Sequence, residues 1–258
     1  MQQVGAKFRR PAARRCNVEQ LLLSVVLPAY NERHRMGRFL ESIWFYMEAK
    51  YPDAYEVIVV DDGSTDGMAE LVDRLAVPWP QLRLLRHPVN QGKGAAVRTG
   101  VLAASGQRIL FADADGAAPI DQEDRLSQAI QNGADIAVGS RLLPSRSEEV
   151  ARRKTRSLFG RMFAALARRL LRLPVQDTQC GFKMFRHPVA QDLFPKIRQT
   201  GYLFDLELLG LAVQRNYKIV EVPIKWTEVP GGHFHPIRHL PRILWQLLRL
   251  WWRLRRAG

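Results

Sequence analysis

The sequence predicts an α/β protein, a mostly parallel sheet covered by helices, with amphipathic helices at its periphery. Three observations predict it. Short apolar runs rich in β-branched residues alternate with stretches of helical periodicity. Polar, carboxylate-bearing segments stand directly after several of those runs, and two basic amphipathic stretches lie in the second half of the chain. Alternation of strands with longer helical patterns is the signature of parallel strands joined by helical crossovers.

In order, Leu21–Leu27, Glu56–Val60, Leu82–Leu85, Arg108–Ala112 and Asp135–Val138 read as buried strands, each a short run bounded by turn residues. Helical patterns fall between them at about 33–50, 64–76, 93–104 and 121–132. Arg152 to Leu173 is a basic amphipathic helix or helix pair. Its Leu158, Phe159, Met162, Phe163, Leu166 and Leu170 share one face, and Arg161, Arg168 and Arg172 lie opposite. A compact segment at 177–224 carries a helix at about 203–215 and a strand at 218–223. From Pro236 to Arg256 the chain is again amphipathic. Arg238, Arg242, Arg249, Arg253 and Arg256 follow one side, and Ile243, Leu244, Leu247, Leu250, Trp251 and Leu254 the other, with Trp245 and Trp252 at the boundary. The expected organisation is a basic extension (1–20), one α/β domain (21–235, interface helices about 150–173) and a basic C-terminal helix (236–258).

The 258 residues carry 39 Lys and Arg against 25 Asp and Glu, a formal charge of +14, which calls for an anionic partner. Nucleic acid, a phospholipid surface and a phosphate-bearing substrate all qualify. No helix-turn-helix, RNP or zinc-finger pattern is visible, and carboxylates at strand ends repel a phosphate backbone, so a nucleic-acid partner is not expected. Cys16 and Cys180 are far apart, which argues against a disulfide framework and for a reducing cytoplasm. Met1 to Gln20 lacks the apolar core of a signal peptide, and no apolar run reaches 18 residues. The expectation is a protein that lies on a membrane without crossing it.

In open α/β sheets ligands bind beyond the carboxyl ends of the strands. Here the first strand runs into Pro28-Ala29-Tyr30-Asn31-Glu32, the second into Asp61-Asp62-Gly63-Ser64-Thr65-Asp66 and the fourth into Asp113-Ala114-Asp115-Gly116. Asp61 to Asp66 reads either as a turn with a helix cap or as a ligand-facing loop. In an extended segment Asp113 and Asp115 point the same way. Their repulsion is relieved by a cation between them, and a divalent ion bridging them to a diphosphate would do so. Asn90-Gln91-Gly92-Lys93-Gly94 opens a helix, with glycines that permit close approach and a terminus that favours an anion. It lacks the Walker spacing. Asp205 and Glu207 open another helix, where they either complement its dipole or serve a site.

Together with Val25 to Glu32 and Val59 to Asp66, the segments Asn90 to Gly94 and Asp113 to Gly116 resemble, in order and spacing, the family 2 glycosyltransferases, whose fold is GT-A. Gly139-Ser140-Arg141 and Asp177-Thr178-Gln179-Cys180-Gly181-Phe182-Lys183 resemble the polyprenyl-phosphate branch, particularly the dolichyl-phosphate β-glucosyltransferase type. The resemblance covers about Leu21 to Glu228. It implies that Asp62 hydrogen-bonds the nucleobase, that Pro28, Tyr30 and Glu32 line the base and ribose pocket, and that Lys93 and Asp113 adjoin the nucleotide sugar. It further implies Mg²⁺ or Mn²⁺ on Asp113 and Asp115, phosphate contact by Arg141, and lipid-phosphate contact by Arg153 and Ser157. Asp177 falls where relatives place a polar catalytic residue, acting as a base or orienting the reactants.

Ala117 stands where the mannosyl-transferring branch often has Gln, so UDP-glucose is favoured over GDP-mannose. The loop Glu228-Val229-Pro230-Gly231-Gly232-His233 matches the relatives' acceptor loop only loosely. The implied reaction is an inverting displacement onto a polyprenyl phosphate by an enzyme held peripherally on the cytoplasmic face of an anionic membrane. A sugar nucleotidyltransferase would need a glycine-rich, arginine-containing signature beside the first strand, which is absent. An inactive scaffold would not need Lys93, Asp113 and Asp115 intact.

Overall fold

The computed structural model describes residues 21–143, 158–227 and 240–256. Seven strands form one sheet: β1 (Leu23–Ala29), β2 (Tyr55–Asp61), β3 (Leu82–Arg86), β4 (Arg108–Ala112), β5 (Ile136–Ser140), β6 (Phe182–Arg186) and β7 (Ile219–Pro223). Their order is β3-β2-β1-β4-β6-β5-β7. β6 runs antiparallel to β4 and β5, and every other pairing is parallel, so the mostly parallel sheet is as predicted.

β6 itself is not among the predicted strands. Lys183 interrupts its apolar run, although the residue is fully buried in the fold. β1 and β2 are buried at every position, which explains why they read as continuous apolar runs rather than alternating ones. Their register, from Leu23 opposite Tyr55 to Ala29 opposite Asp61, brings their carboxyl ends level.

Helices cover both faces. On one lie α1 (Arg33–Lys50), α2 (Met68–Ala76) and α4 (Glu123–Gln131), packed on Leu23, Val25, Leu27, Val57 and Val59. On the other lie α3 (Lys93–Leu102), α5 (Leu158–Leu171), α6 (His187–Leu193), α7 (Phe204–Gln214) and α8 (Leu240–Arg256), packed on Val26, Ile58, Val60, Ile109 and Phe111. α3 lies so close to the sheet that a Cβ on Gly100 would sit 2.4 Å from Val26. This is the close helix–sheet contact that only glycine allows.

α8 differs from its expected use. Leu247, Leu250 and Leu254 are buried in the protein's own core, so most of the apolar stripe serves internal packing. Trp245, Leu248 and Trp252 remain exposed, at 60%, 55% and 50%. Among the described residues no helix is long and apolar enough to cross a membrane. The expected acceptor contacts Arg153 and Ser157, the 1–20 extension, the loop expected at Glu228 to His233 and the expected start of the C-terminal helix at Pro236 lie outside the described residues.

Candidate active site

Three loops at the carboxyl edge of the sheet are stitched together by side chains. Asn31 Oδ1 accepts from Thr65 N–H, Ser64 Oγ accepts from Asn31 N–H, and Asp66 Oδ2 accepts from Arg33 N–H, each at 2.9 Å. Asp66 Oδ1 also accepts from Met68 N–H at 3.0 Å, at the start of α2. Asp61 and Asp66 thus accept from backbone N–H groups two or three residues on, as in turns, while the residue that caps α2 is Gly67, so the helix begins at Met68 rather than 64.

Asp62 is 3% exposed. Its Oδ1 accepts from Gln91 N–H (2.9 Å) and faces His87 Nδ1 (2.7 Å), and its Oδ2 accepts from Gly92 N–H (2.8 Å). The carboxylate thus fixes the loop between β3 and α3, and its Oδ2, which accepts one hydrogen bond here, retains acceptor capacity. Tyr30, by contrast, is 46% exposed at the end of β1. Pro28 lies within the last residues of β1, paired with Val60. Glu32 is bound by Arg35 through two 2.6 Å hydrogen bonds. Burial raises the Glu32 pKa against that pairing, and Asp115 adds to the rise.

β4 ends at Ala112, and residues 114–115 form a turn, so the two β4 carboxylates are neighbours through a turn rather than through strand alternation. Lys93 Nζ lies 2.6 Å from the buried Asp113 Oδ1 but off a good hydrogen-bond line, so charge holds the pair. Burial pulls the Lys93 pKa down, but Asp113 and Asp205 outweigh it and hold it above the usual value. Asp115 accepts from Ala117 N–H at 3.0 Å. Burial, and then the charge of Asp113, push its carboxyl up.

Gly181, at the entry to β6, forms the floor under this pair. A Cβ there would lie 2.0 Å from Asp113 Oδ2. The residues fit a divalent cation, because a carboxylate destabilised by its neighbour gains from a shared positive charge. Among the described residues no group of three His, Cys, Asp or Glu could hold a metal alone. The protein would supply two carboxylates, and oxygens of a bound phosphate and water would complete the shell, the usual arrangement for Mg²⁺.

The antiparallel β6 brings its amino end to the same edge as the carboxyl ends of β4 and β5. Asp177 thereby meets Arg141, which follows β5. Arg141 Nε and Nη2 donate to Asp177 at 2.7 Å each, and its N–H donates at 3.0 Å. The Arg141 guanidinium also stands 5.4 Å from the Trp226 ring centroid. Glu221 on β7 accepts from the backbone N–H groups of Gln176 and Asp177 at 2.7 and 2.8 Å. Asp177 is 2% exposed, a clamped carboxylate. Nearby Cys180 is inert: burial chiefly pushes its thiol up to about 12.

Behind the pair lies a buried charge network that the sequence does not reveal. Lys183 Nζ donates to Asp205 Oδ1 (2.6 Å) and to the Cys180 carbonyl (2.5 Å). Burial raises the Asp205 pKa, while Lys183 and then Lys93 lower it. Glu207, fully buried, accepts from Arg198 N–H at 3.1 Å and from Gln199 N–H at 2.7 Å, and pairs with Arg253 of α8.

That loop corrects the anion expectation for the start of α3. The Thr200 carbonyl accepts from Gly94 N–H at 2.7 Å and Ala95 N–H at 3.3 Å, so the helix terminus is capped by the chain itself. The two glycines serve this approach. A Cβ on either Gly92 or Gly94 would lie 2.5 Å from a carbonyl oxygen of this loop.

Compared with known proteins, residues 24–194 match the profile of glycosyl transferase family 2. The chain belongs to that family. As a family 2 glycosyltransferase it has well-matched relatives. The dolichyl-phosphate beta-glucosyltransferase ALG5C of Trichomonas vaginalis is 39% identical over 219 residues, 81% of this chain and 65% of the relative. The dolichyl-phosphate beta-glucosyltransferase of Saccharomyces cerevisiae is 35% identical over 231 residues, 83% of this chain and 69% of the relative. The chain spans roughly two thirds of these relatives' length.

Two solved structures show the fold of this glycosyltransferase. Mannosyl-3-phosphoglycerate synthase from Rubrobacter xylanophilus superposes with a TM-score of 0.66 at 21% identity, covering 92% of this chain and 75% of that one. Glucosyl-3-phosphoglycerate synthase from Mycobacterium tuberculosis, solved with Mn²⁺, UDP and phosphoglyceric acid, gives 0.64 at 23%, covering 90% and 78%. The fold is GT-A, as the resemblance implied.

Proposed function

We propose that the protein transfers a hexose, glucose in preference to mannose, from a nucleoside diphosphate sugar to a polyprenyl phosphate at a membrane surface. The observation that carries this reading is the Asp113–Asp115 pair beside Lys93, in a chain 39% identical to a dolichyl-phosphate beta-glucosyltransferase. Pro28, Tyr30 and Glu32 would receive the nucleoside, and Asp62, besides holding its loop, would hydrogen-bond the nucleobase. Asp113 and Asp115 would carry Mg²⁺ or Mn²⁺; a solved neighbour holds Mn²⁺ together with UDP. Such an ion would supply charge neutralisation to the departing diphosphate.

The acceptor phosphate attacks the anomeric carbon directly, with inversion. It is already anionic near neutral pH, so no strong base is needed. Asp177, with both oxygens on Arg141, suits orientation better than proton removal, and Arg141 is a positive charge held in place. Arg153 and Ser157 would meet the acceptor phosphate. Ala117 and the relatives' names favour UDP-glucose.

Membrane placement is supported by the outward Trp245, Leu248 and Trp252 with Arg249 and Arg255 beside them on α8, and by exposed Leu166 with Arg168 and Arg169 on α5. Aromatic residues bordered by arginines favour an anionic lipid interface, here the cytoplasmic face of a membrane.

The test is transfer of label from UDP-glucose and GDP-mannose into solvent-extractable lipid, with polyprenyl phosphate, Mg²⁺ and detergent. Label from UDP-glucose alone is expected. Label from GDP-mannose alone would replace the donor assignment, and label from neither, with donor bound, would remove the lipid acceptor.

A further inference from the structure

A cavity of about 440 Å³ opens between α7, α8 and residues 196–198, and neither Asp113 nor Asp115 lines it. Lys196, Arg198, Arg215 and Arg253 line it. Among the described residues two carboxylates oppose these four cations. Asp192 pairs with Lys196 at 2.7 Å and with Arg215 at 2.9 Å, and the fully buried Glu207 pairs with Arg253. Glu207 also accepts two backbone N–H groups, so its charge is already divided. The Arg198 side chain makes no ion pair among the described residues.

The result is a concave space with excess positive charge and guanidinium groups on several sides. Arginine forks match the oxygens of a phosphate, and a site that is partly enclosed strengthens each contact. Its position indicates where the phosphate comes from. At about 100° per residue, Arg253 falls on the flank of α8, between the inward Leu254 and the outward Trp245 and Trp252. The cavity therefore opens at the border of the face that carries the exposed tryptophans.

We propose that this cavity binds the phosphate of an anionic lipid headgroup, at a site separate from the Asp113–Asp115 pair. The lipid as source rests on the membrane reading above; the phosphate chemistry rests on the cavity alone. A bound headgroup would fix the depth and rotation of α8 at the surface, which diffuse attraction to the arginines of its outer face does not.

The experiment uses the full chain and two double variants that each lose two charges. Arg198→Gln/Arg215→Gln alters the cavity and leaves Asp192 its lysine partner; Arg249→Gln/Arg255→Gln alters the outer face of α8. Calorimetric titration with water-soluble dibutyryl phosphatidic acid, and with inorganic phosphate, measures the cavity without a membrane. The expected result is saturable binding of the lipid analogue, weaker binding of inorganic phosphate, and a loss of at least about tenfold in the cavity variant only.

Equal loss in both variants, or no saturable binding, would overturn the site. Inorganic phosphate binding as tightly as the analogue would overturn the lipid source. A parallel measurement on phosphatidylcholine vesicles containing phosphatidic acid separates the two readings. Vesicles that fail to bind while the soluble analogue binds would remove the membrane reading and, with it, the lipid as source, leaving a phosphate site.

Discussion

Replacing Gly181 by alanine should disable the enzyme without touching a functional group. The added Cβ would stand 2.0 Å from Asp113 Oδ2 and 2.4 Å from Oδ1, with no backbone atom among its three nearest neighbours. Ordinary contact begins at 3.4 Å, so the carboxylate must move by more than 1 Å while the strand stays in place. If Asp113 holds the diphosphate as proposed, a shift of that size costs about 100-fold in rate, or roughly 2.7 kcal/mol. The assay is initial-rate glucosyl transfer alongside a thermal melt, with Gly201→Ala as control, because a Cβ at Gly201 meets nothing within 4 Å. The control should match wild type in both. In an Asp113→Ala background, Gly181→Ala should cost almost nothing more, since both remove the same placed carboxylate. Wild-type turnover in Gly181→Ala, or full additivity in the double variant, would refute the reasoning.

Three further predictions concern charge. Asp115→Asn should raise the melting midpoint at pH 7.5 in the absence of metal. The raised carboxyl carries a folding cost that is absent below its unfolded value of 3.8 and complete above its folded pKa, so the gain should shrink as the pH falls; a gain independent of pH would sink this. The same variant should lose transfer by about 100-fold or more. Lys183→Met leaves Asp205 buried without its main partner and should cost about 3–5 kcal/mol, a fall of roughly 10 °C in midpoint, much of it recovered in Lys183→Met/Asp205→Leu. An unchanged midpoint in the single variant would show that the pair is immaterial. Arg141→Lys cannot reproduce the two-pronged bond to Asp177 and should lower kcat by about tenfold or more, measured at saturating donor; an unchanged kcat would dismiss the clamp.

What the sequence revealed, and what it hid, follow one physical division. β1 to β5 and β7 are runs read locally, and the carboxylates after β1, β2 and β4 follow from them. Partnerships across long sequence distance were not legible. Thr200 caps a helix that begins at Lys93, and Gly181 supports Asp113, neither of which any local pattern announces. β6 was hidden because its second residue is a buried lysine whose counter-charge, Asp205, lies 22 residues away. For Asp205 and Glu207 the helix-dipole account is insufficient, since both are spent on buried partners. The apolar stripe of α8 was visible; that most of it faces inward depends on α5 and α7 being there to receive it.

Glu207 joins segments that a domain diagram would separate. One oxygen pair receives α8 through Arg253 and the loop at 198–199, and the next residue of that loop closes the start of α3 at Lys93. α8 cannot lift away without taking Arg253 from the fully buried Glu207, and breaking such a buried pair costs several kcal/mol. Release of α8 and loosening of the start of α3 are therefore expected to go together, and hydrogen exchange would register the two as one cooperative unit. A helix that looks like a mooring line is, at its inner end, tied to the loop that closes the start of α3.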